Sequence, residues 1–544
     1  MSTWNFADIF ERVAARFPEA PAVIDGERTW TWAEFESRAQ GLAADLGSLP
    51  LQYQSKVAVY SRNSSQFLEA YFGILKARLV PVNVNWRYEA DELVYLLDNA
   101  DVEAVVVAAE YAGMVERIAP RLPKVLRWYV VGEGDLPVDL PCVAYEDAIA
   151  RHQIAGSPPG VATRSGDDLI LIYTGGTTGM PKGVMWRQSD MFEALLGSSR
   201  AAFGLPMTDS VDDLVSGIVP PGPRGLAASP LMHATGLLHQ FVMLLAGGTS
   251  VILTGRKFDA EHLWRTVATH AVSAVVIVGD AFAIPMLEYL DTHPGELDLS
   301  ALEVISSSGA MWSRSLKEGL LGHLPWVQMY DALASSEGFG LAGTTMTAAT
   351  VGEQAPLALG PNTRVIGDDG AWLSFSEVGG VGMVAVGGAL PLGYYKDEDK
   401  SAQTFQTIEG ERYSVPGDYV EILANSTVRF LGRGSACINT AGEKVYAEEV
   451  EMVVKDHPSV HDAACVGVPD ARLGAAVCVV VTPVNGAVIS KEAMVIHVSS
   501  RLASYKAPRH LVSMSEIPRT AQGKVDYPKV HEYVDSLLAT GADR

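Results

Sequence analysis

The sequence predicts an α/β protein with a large N-terminal domain of layered sheets and a small α+β C-terminal domain. Strand-like and helix-like stretches alternate over residues 31–107 and again over 250–330, and such alternation is typical of parallel sheets. After about residue 430 the pattern changes to short strands between two helices. A chain of 544 residues also exceeds what one hydrophobic core usually holds, so more than one folding unit is expected.

The first layer begins with a helix after Thr31. Thr31 and Glu34 have the form of a capping box, and the apolar residues that follow recur with helical spacing. Strands and helices then alternate through residues 56–60, 67–75, 80–84, 91–99 and 102–107. The second layer repeats the alternation through residues 250–253, 260–270, 272–278, 281–290, 302–306, 313–324 and 327–330. We therefore expect two similar α/β layers.

The C-terminal part has a different pattern. It predicts helices over 447–455 and 491–503, strands over 463–468 and 476–481, and a loop-rich tail. Two glycines and several small residues at 432–436 leave the backbone few packing constraints. The expected division is an N-terminal domain at 1–431, a hinge at 432–436 and a mobile C-terminal domain at 437–544.

Composition excludes several classes of protein. Lys and Arg number 41 against 64 Asp and Glu, a net charge of −23, and without a basic cluster such a surface repels nucleic acid and anionic lipid. The four cysteines form no CxxC pair, which argues against a disulfide framework or a cysteine zinc site. The most apolar windows are interrupted by polar residues or proline, so no integral membrane segment is expected. A cytoplasmic globular protein is predicted.

A glycine-rich loop is the first sign of chemistry. Residues 174–183 have the sequence TGGTTGMPKG and follow a predicted strand at 168–173. Glycines let backbone N–H groups converge on an anion, hydroxyls donate further hydrogen bonds, and a lysine adds charge. Met180 and Pro181 stand where a Walker A loop needs its second glycine and lysine. The loop is therefore expected to bind phosphates, but not as a P-loop.

The stretch YTGGTTGMPKG resembles the signature of the adenylate-forming superfamily, which includes acyl-CoA synthetases, nonribosomal adenylation domains and firefly luciferase. Motifs similar to the others of that superfamily follow in order at 230–236, 308–310, 334–337, 417–418, 432–433, 442–445, 448–451 and 523–524. A collinear set spanning nearly the whole chain carries weight that single motifs lack. The resemblance implies the fold of that superfamily, with a distorted barrel-like part in the large domain.

The resemblance also implies roles for individual residues. Lys524 would contact the substrate carboxylate and the α-phosphate of ATP, and Thr174 and Glu337 would hold Mg²⁺ on the phosphates. Asp418 would accept the ribose hydroxyls with Arg433 nearby, and His233, Gly279 and Asp280 would border the acyl group. The remaining nucleotide-binding residues would be Gly175, Gly176, Thr177, Thr178, Gly179, Lys182, Ser308, Gly309, Ala310, Asp331, Ala332, Leu333, Ser335 and Ser336. Gly442, Glu443 and Lys444 would contact CoA after the small domain reorients.

The predicted reaction has two half-reactions, in which a carboxylic acid and ATP give acyl-adenylate and pyrophosphate, and CoA then gives acyl-CoA and AMP. The nearest likeness is to actinobacterial acyl-CoA synthetases that act on fatty or steroid side-chain acids. Two alternatives remain open, an amide ligase with an amine acceptor and a non-catalytic nucleotide-binding protein. The sequence also leaves the oligomeric state open, with a homodimer as one option.

Two departures from the family pattern bear on these expectations. Leu333 and Ala334 replace the usual aromatic-glycine pair, so the adenine would lie against an aliphatic face, with Asp331 as acceptor for its amine. At the hinge, Ser435 and Ala436 stand where charged residues are usual. Small residues still permit the backbone rotation that a hinge needs.

Overall fold

In the computed structural model of the chain, the described residues are 4–134, 139–153, 163–176, 179–203, 210–351, 356–440, 443–470, 472–484, 487–520 and 523–539. The helices are α1 Phe6–Arg16, α2 Trp32–Gly47, α3 Ser65–Lys76, α4 Ala90–Asn99, α5 Ala112–Ile118, α6 Tyr145–Gln153, α7 Gln188–Phe203, α8 Val211–Ser216, α9 Ala234–Leu245, α10 Ala260–Thr269, α11 Asp280–Thr292, α12 Arg314–His323, α13 Glu398–Thr404, α14 Ala447–Lys455, α15 Lys491–Ser499 and α16 Tyr527–Ala539.

The strands are β1 Pro21–Asp25, β2 Arg28–Thr31, β3 Lys56–Tyr60, β4 Val80–Asn83, β5 Val102–Ala108, β6 Arg127–Val131, β7 Cys142–Ala144, β8 Leu169–Gly176, β9 Gly179–Arg187, β10 Arg224–Ala227, β11 Thr249–Ile252, β12 Ala274–Ile277, β13 Val304–Ser308, β14 Gln328–Ser335, β15 Gly338–Met346, β16 Leu357–Leu359, β17 Thr363–Ile366, β18 Val381–Val386, β19 Gly393–Tyr394, β20 Phe405–Ile408, β21 Glu411–Ser414, β22 Asp418–Ile422, β23 Thr427–Arg433, β24 Cys437–Thr440, β25 Glu443–Tyr446, β26 Val460–Asp470, β27 Gly474–Pro483 and β28 His510–Ser513.

These strands form three sheets within the described part of the chain. One has the order β19-β9-β8-β4-β3-β5-β6-β7, and its pairs from β8 to β7 are parallel. A second, larger sheet is parallel from β1 through β11, β10, β12 and β13 to β14, and continues into antiparallel strands β15–β18 and β20–β23. The two predicted α/β layers are confirmed.

The third sheet belongs to the C-terminal part and has the order β25-β24-β27-β26, with β28 paired to β27. Helices α14 and α15 contribute apolar residues to one of its cores, and α16 contributes Val530 and Val534 to the other. The small α+β unit beside the large sheets is thus present as expected.

An aromatic cluster fixes the position of α9 in the large domain. Phe10 of α1 contacts Phe72 of α3 with ring centroids 3.7 Å apart, and Phe72 stacks on Phe241 of α9 at 5.5 Å. All three side chains are buried. Such interlocked aromatic packing holds a helix in a defined orientation, and the first residues of α9 face the site described below.

Several predicted boundaries are wrong. The glycine-rich segment is not a free turn, because β8 extends through Gly176 and pairs with β9, which places Thr174 opposite Lys182. Strand β14 continues past Tyr330 to Ser335, since β15 pairs with it along that length. The tail predicted as loop contains α16, and the helix expected to reach residue 503 ends at Ser499.

Candidate active site

At the end of strand β13 the large and small domains approach each other closely. Gly309 follows the last residue of β13 and has φ +90°. A Cβ atom built on Gly309 would lie 3.7 Å from Thr235 Oγ1 and 3.8 Å from Lys524 Cε. The Lys524 side chain therefore reaches from the small domain to the carboxyl end of a parallel strand, which is where sheets of this kind bind ligands.

Close backbone packing holds the loop that carries Lys524. Gly523 has φ +78°, and a Cβ atom there would lie 3.1 Å from Phe282 Cε2 and 3.2 Å from Ala281 Cβ, in the first turn of α11. Thr520 N donates to Lys524 O at 2.7 Å. A larger residue at 523 would be strained in its backbone and crowded by α11, so the glycine permits this approach.

The charge environment of Lys524 identifies its neighbours. Burial and the Arg433 guanidinium lower the pKa of Lys524 to about 8, while Asp418 and Glu337 act in the opposite direction. Four of the predicted site residues therefore lie close enough to influence one another electrostatically. A lysine with this pKa is still mostly protonated at neutral pH.

Asp418 is prepared to accept further hydrogen bonds. It lies opposite Arg433 in the β22–β23 pair, and Arg433 Nε donates to its Oδ1 at 3.0 Å. Its second oxygen, Oδ2, is buried and has no hydrogen-bond partner. An unsatisfied buried carboxylate oxygen is costly, and a ligand hydroxyl would satisfy it.

A tyrosine links Glu337 to the glycine-rich hairpin. Tyr394 of β19 pairs with Val184 of β9, and its hydroxyl donates to Glu337 Oε1 at 2.7 Å. Lys182 Nζ lies 5.6 Å from the Tyr394 ring centroid and donates to Asp397 Oδ2 at 2.7 Å. Thr177 and Thr178 lie outside the described residues, while Gly175, Gly176 and Gly179 are at the ends of the two strands.

His233 is the N-cap residue of α9, and the charge of Lys524 acts on its imidazole. Its Nε2 atom is buried without a partner. Burial, together with the positive charges of Lys524 and Arg87, lowers the pKa of His233 to about 3. The imidazole is therefore neutral at physiological pH and cannot compete with Lys524 as a cation.

The adenine-side residues lie along strands. Ser308 ends β13 and Ala310 follows Gly309, while Asp331, Ala332, Leu333 and Ser335 belong to β14. Lys317 Nζ donates to Asp331 Oδ2 at 2.9 Å. Ser335 Oγ is buried and unpartnered, and the Ser336 carbonyl accepts from Trp186 Nε1 at 2.9 Å.

Gly279 and Asp280 lie at the start of α11. Gly279 has φ +59°, and a side chain there would collide with the Met311 carbonyl. The Asp280 carboxylate is buried and accepts from Ser313 and from Lys455 Nζ. In this structure the hydrogen bonds to the Asp280 carboxylate therefore come from Ser313 and Lys455.

Of the residues expected to contact CoA, two lie in a strand of the small domain. Glu443 and Lys444 belong to β25, and Gly442 lies outside the described residues. Lys444 Nζ donates to Asp368 Oδ2 at 2.6 Å. The pairing ties the small domain to Asp368 of the large one, which also accepts from the Tyr419 hydroxyl.

Sequence reasoning missed Tyr394, Asp397, Lys317 and Lys455. Each lies at least 14 residues from the motif residue that it contacts, and no local pattern predicts the contact. Only Asp397 had a readable signal, since an aspartate before a short helix is typical of an N-cap, and its side chain accepts from Lys400 N. That signal concerns helix capping and does not predict a contact with Lys182.

None of the described helices is long and apolar enough to cross a membrane. Among the described residues, no group of three or more His, Cys, Asp or Glu side chains could hold a metal ion by itself.

Comparisons with known proteins agree with this geometry. Residues 10–395 match the AMP-binding enzyme family, and residues 449–524 match the AMP-binding enzyme C-terminal domain. A 3-oxocholest-4-en-26-oate--CoA ligase of Rhodococcus rhodochrous is 38% identical over 530 residues, which cover 96% of this chain and 94% of the relative. A medium/long-chain-fatty-acid--CoA/3-oxocholest-4-en-26-oate--CoA ligase of Mycobacterium tuberculosis is 39% identical over 540 residues, 98% of this chain and 97% of the relative.

Solved structures share the fold. The anthranilate CoA ligase AuaEII in complex with anthranoyl-AMP aligns with a TM-score of 0.82 at 21% identity and covers 99% of both chains. The ATP-bound MatB of Rhodopseudomonas palustris aligns with a TM-score of 0.79 at 23% identity, covering 97% of this chain and 98% of that one. With family matches in both domains and relatives similar along nearly the whole length, the chain belongs to the AMP-binding, adenylate-forming enzyme family.

Proposed function

We propose that the chain is an ATP-dependent acyl-CoA synthetase that forms an acyl-adenylate and transfers the acyl group to CoA. The observation that carries the proposal is the position of Lys524 at Gly309, where the charges of Asp418 and Glu337 act on it. A family match across both domains and relatives that are CoA ligases agree with it.

ATP binds across the strand ends of the large domain. The unpartnered Asp418 Oδ2 accepts a ribose hydroxyl, and Arg433 holds the other oxygen in place. Residues 308–310 and 331–336 border the adenine, and the β8–β9 hairpin binds the β- and γ-phosphates. Lys182 then exchanges its bond to Asp397 for a phosphate oxygen, because charge-assisted bonds to phosphate are of comparable strength.

The first half-reaction joins two anions. A carboxylate oxygen of the acid attacks the α-phosphorus, the bond between the α-phosphorus and the bridging oxygen breaks, and pyrophosphate leaves with the electron pair. Lys524 reduces the repulsion between the carboxylate and the α-phosphate, and it acts in a half-buried site where a charge is worth more than in water. His233 stays neutral beside the acyl group and leaves this cation as the group that draws both anions together.

The side chains of Thr174 and Glu337 suit Mg²⁺. Both offer hard oxygen donors, and Mg²⁺ in nucleotide sites is usually held by one or two protein oxygens together with phosphates and water. Tyr394 orients the Glu337 carboxylate through its hydroxyl. When bound, the ion supplies charge neutralisation on the phosphates, which makes pyrophosphate a better leaving group.

The second half-reaction requires the small domain, 437–544, to turn about residues 432–436. Lys444 leaves Asp368, and the segment 439–444 then faces the acyl-adenylate and borders the path of CoA. The CoA thiol loses its proton to solvent and attacks the acyl carbonyl, the bond between the acyl carbon and the phosphate oxygen breaks, and AMP leaves with that electron pair. Gly432 in this hinge has φ +128°, a backbone conformation that favours glycine, and a side chain there would collide with the Glu448 carboxylate.

The acid is a fatty or steroid side-chain acid. This part of the proposal depends on the relatives, whose names specify medium- and long-chain fatty acids and 3-oxocholest-4-en-26-oate. We further propose a cytoplasmic enzyme, because ATP and CoA are cytosolic substrates.

A panel of carboxylic acids tests the proposal by pyrophosphate release with and without CoA. We expect acid-dependent pyrophosphate release, and acyl-CoA and AMP in equal amounts when CoA is present. Hydroxylamine should trap the adenylate as a hydroxamate when CoA is absent. Turnover with an amine acceptor and none with CoA would refute the proposal in favour of an amide ligase, and the absence of pyrophosphate release with every acid would refute adenylation itself.

A further inference from the structure

A buried chain of charged side chains joins the two domains beside Lys524. It runs from Asp280 in the first turn of α11 through Lys455 at the end of α14 to Asp462 in β26 and Arg519. Neighbouring side chains in this series form ion pairs. The series ends at the backbone carbonyl of Gly523, the residue before Lys524, which accepts a hydrogen bond from Arg519.

Lys455 is the central member of this chain. Its Nζ lies 3.0 Å from Asp280 Oδ2 and 3.1 Å from Asp462 Oδ1, and only 6% of its side chain is exposed. Burial alone would lower the pKa of Lys455, but the two carboxylates raise it above its ordinary value. A lysine in this setting stays charged, and its charge is shared between a carboxylate of each domain.

Each end of this series of charged side chains leads to the active site. Asp280 also accepts from Ser313 N at 2.7 Å and from Ser313 Oγ at 2.5 Å, which fixes the carboxylate at the start of α11. On the other side, Arg519 Nη2 pairs with Asp462, and Arg519 Nη1 donates to Gly523 O at 2.8 Å. The same first turn of α11 packs against Gly523.

We propose that Lys455 and Asp280 are positioning residues that latch the small domain in the pose that delivers Lys524. The inference rests on the proposed function, because it assigns the latch to the first half-reaction. The Asp280–Lys455 contact crosses between the domains, so we expect the rotation about residues 432–436 that withdraws Lys524 from Gly309 to separate this pair as well. An interaction present in one pose only biases the equilibrium toward that pose by its own free energy.

When the latch opens, each of its two charged groups keeps a polar partner. After separation, Asp280 keeps its two bonds from Ser313, and Lys455 keeps Asp462. Breaking a buried pair is strongly destabilising when it leaves an uncompensated charge, and the remaining partners reduce that cost. The contact is therefore suited to a reversible latch.

The test compares Lys455→Met with a matched control, Lys506→Met. Lys506 Nζ pairs with the buried carboxylate of Glu449 at 2.6 Å, and both residues belong to the small domain. Each half-reaction is measured separately, as acid-dependent ATP–pyrophosphate exchange and as thioester formation from supplied acyl-adenylate and CoA. For Lys455→Met we expect exchange to fall at least tenfold while thioester formation changes less than about threefold, a split that loss of general stability would not produce.

Asp280→Asn should reproduce the split, because the amide oxygen still accepts from Ser313 N while the charge facing Lys455 is removed. Lys506→Met should leave the ratio of the two half-reactions unchanged. Equal losses of both half-reactions in Lys455→Met, or no loss of either, would overturn the proposal.

Amide hydrogen exchange gives a readout that does not depend on turnover. In the nucleotide-free protein, Lys455→Met should increase exchange in the peptide that contains Gly523 and Lys524 and in the peptide that begins α11, and Lys506→Met should not. If the wild type activates no carboxylic acid, the proposed function is refuted, but the amide hydrogen-exchange experiment still tests the latch. Unchanged exchange in Lys455→Met would refute it.

Discussion

The pH dependence of adenylation should report the protonation of Lys524. Burial and Arg433 lower the pKa of this lysine to about 8 in the nucleotide-free enzyme. Lys524 is useful as a cation and loses that property when it deprotonates, so kcat/KM for ATP should fall as pH rises through 8. The protonated fraction decreases from about nine tenths at pH 7 to about one tenth at pH 9, which predicts a loss of about tenfold.

The profile of kcat should differ from that of kcat/KM. kcat/KM reports groups of the free enzyme, and kcat reports those of the enzyme–substrate complex. Bound triphosphate and carboxylate add negative charge around Lys524, which raises its pKa. The fall in kcat should therefore begin at a higher pH than the fall in kcat/KM, and the difference measures how strongly the substrates interact with the lysine.

The assay is acid-dependent pyrophosphate release between pH 6.5 and 9.5, with Lys524→Arg as the matched control. Arginine stays charged throughout this range, so the variant should be slower at neutral pH but should show no fall near pH 8. A wild-type profile that stays flat to pH 9, or a Lys524→Arg profile that falls in parallel with the wild type, would refute the assignment of this pKa and of the catalytic cation.

Three further substitutions test other parts of the site and fold. Asp418→Asn should raise the KM for ATP about tenfold or more in steady-state pyrophosphate release, since a charged hydrogen-bond acceptor is worth about 1.5–3 kcal/mol; an unchanged KM would exclude the ribose contact. Tyr394→Phe removes the bond to Glu337 and should raise the Mg²⁺ concentration needed for half-maximal rate about tenfold, whereas an unaltered Mg²⁺ titration would contradict that role. Burial raises the pKa of Glu451 to about 8, so the protonated carboxyl group stabilises the folded state, and this stabilisation is lost as the pH rises from the ordinary pKa of a glutamate to about 8. Glu451→Gln should therefore reduce the difference between the unfolding free energies at pH 5 and pH 8.5, measured by urea titration, by on the order of a few kcal/mol. An equal difference in the wild type and the variant would disprove it.

The local sequence is sufficient to predict a helix or strand where that element contains its own apolar period or cap. The capping box of Thr31 and Glu34 is present with both of its hydrogen bonds, and β3 and α14 match the predicted bounds. In these segments the apolar period and the cap specify the same structure, and the tertiary fold does not override them.

The sequence of the C-terminal helix contains a helical signal of its own. Val530 and Val534 are both fully buried, and their spacing is helical. Asp526 accepts from Lys529 N just before the helix, as an N-cap residue does. The polar residues between the valines made this segment resemble a loop-rich tail, whereas the helix is stabilised by packing on the small sheet.

Strand pairing decided the boundaries that local pattern could not. β14 extends through Ser335 because β15 is available as its antiparallel partner, and the glycine-rich segment becomes a hairpin because β9 pairs back on β8. Register is a property of two strands. No window of sequence around Asp331 or Thr174 contains the residues that decide it.

The same argument explains which site residues the sequence could identify. Residues whose chemistry is tied to the nucleotide, such as Lys524 and Asp418, occur in motifs with a fixed local spacing. Lys455 has a different requirement, because it must face Asp280 across a domain boundary in one pose and separate from it in another. Only the folded arrangement brings together positions 175 residues apart in sequence, so the partner of Asp280 is found by geometry, whereas residues that contact the nucleotide are found by motif.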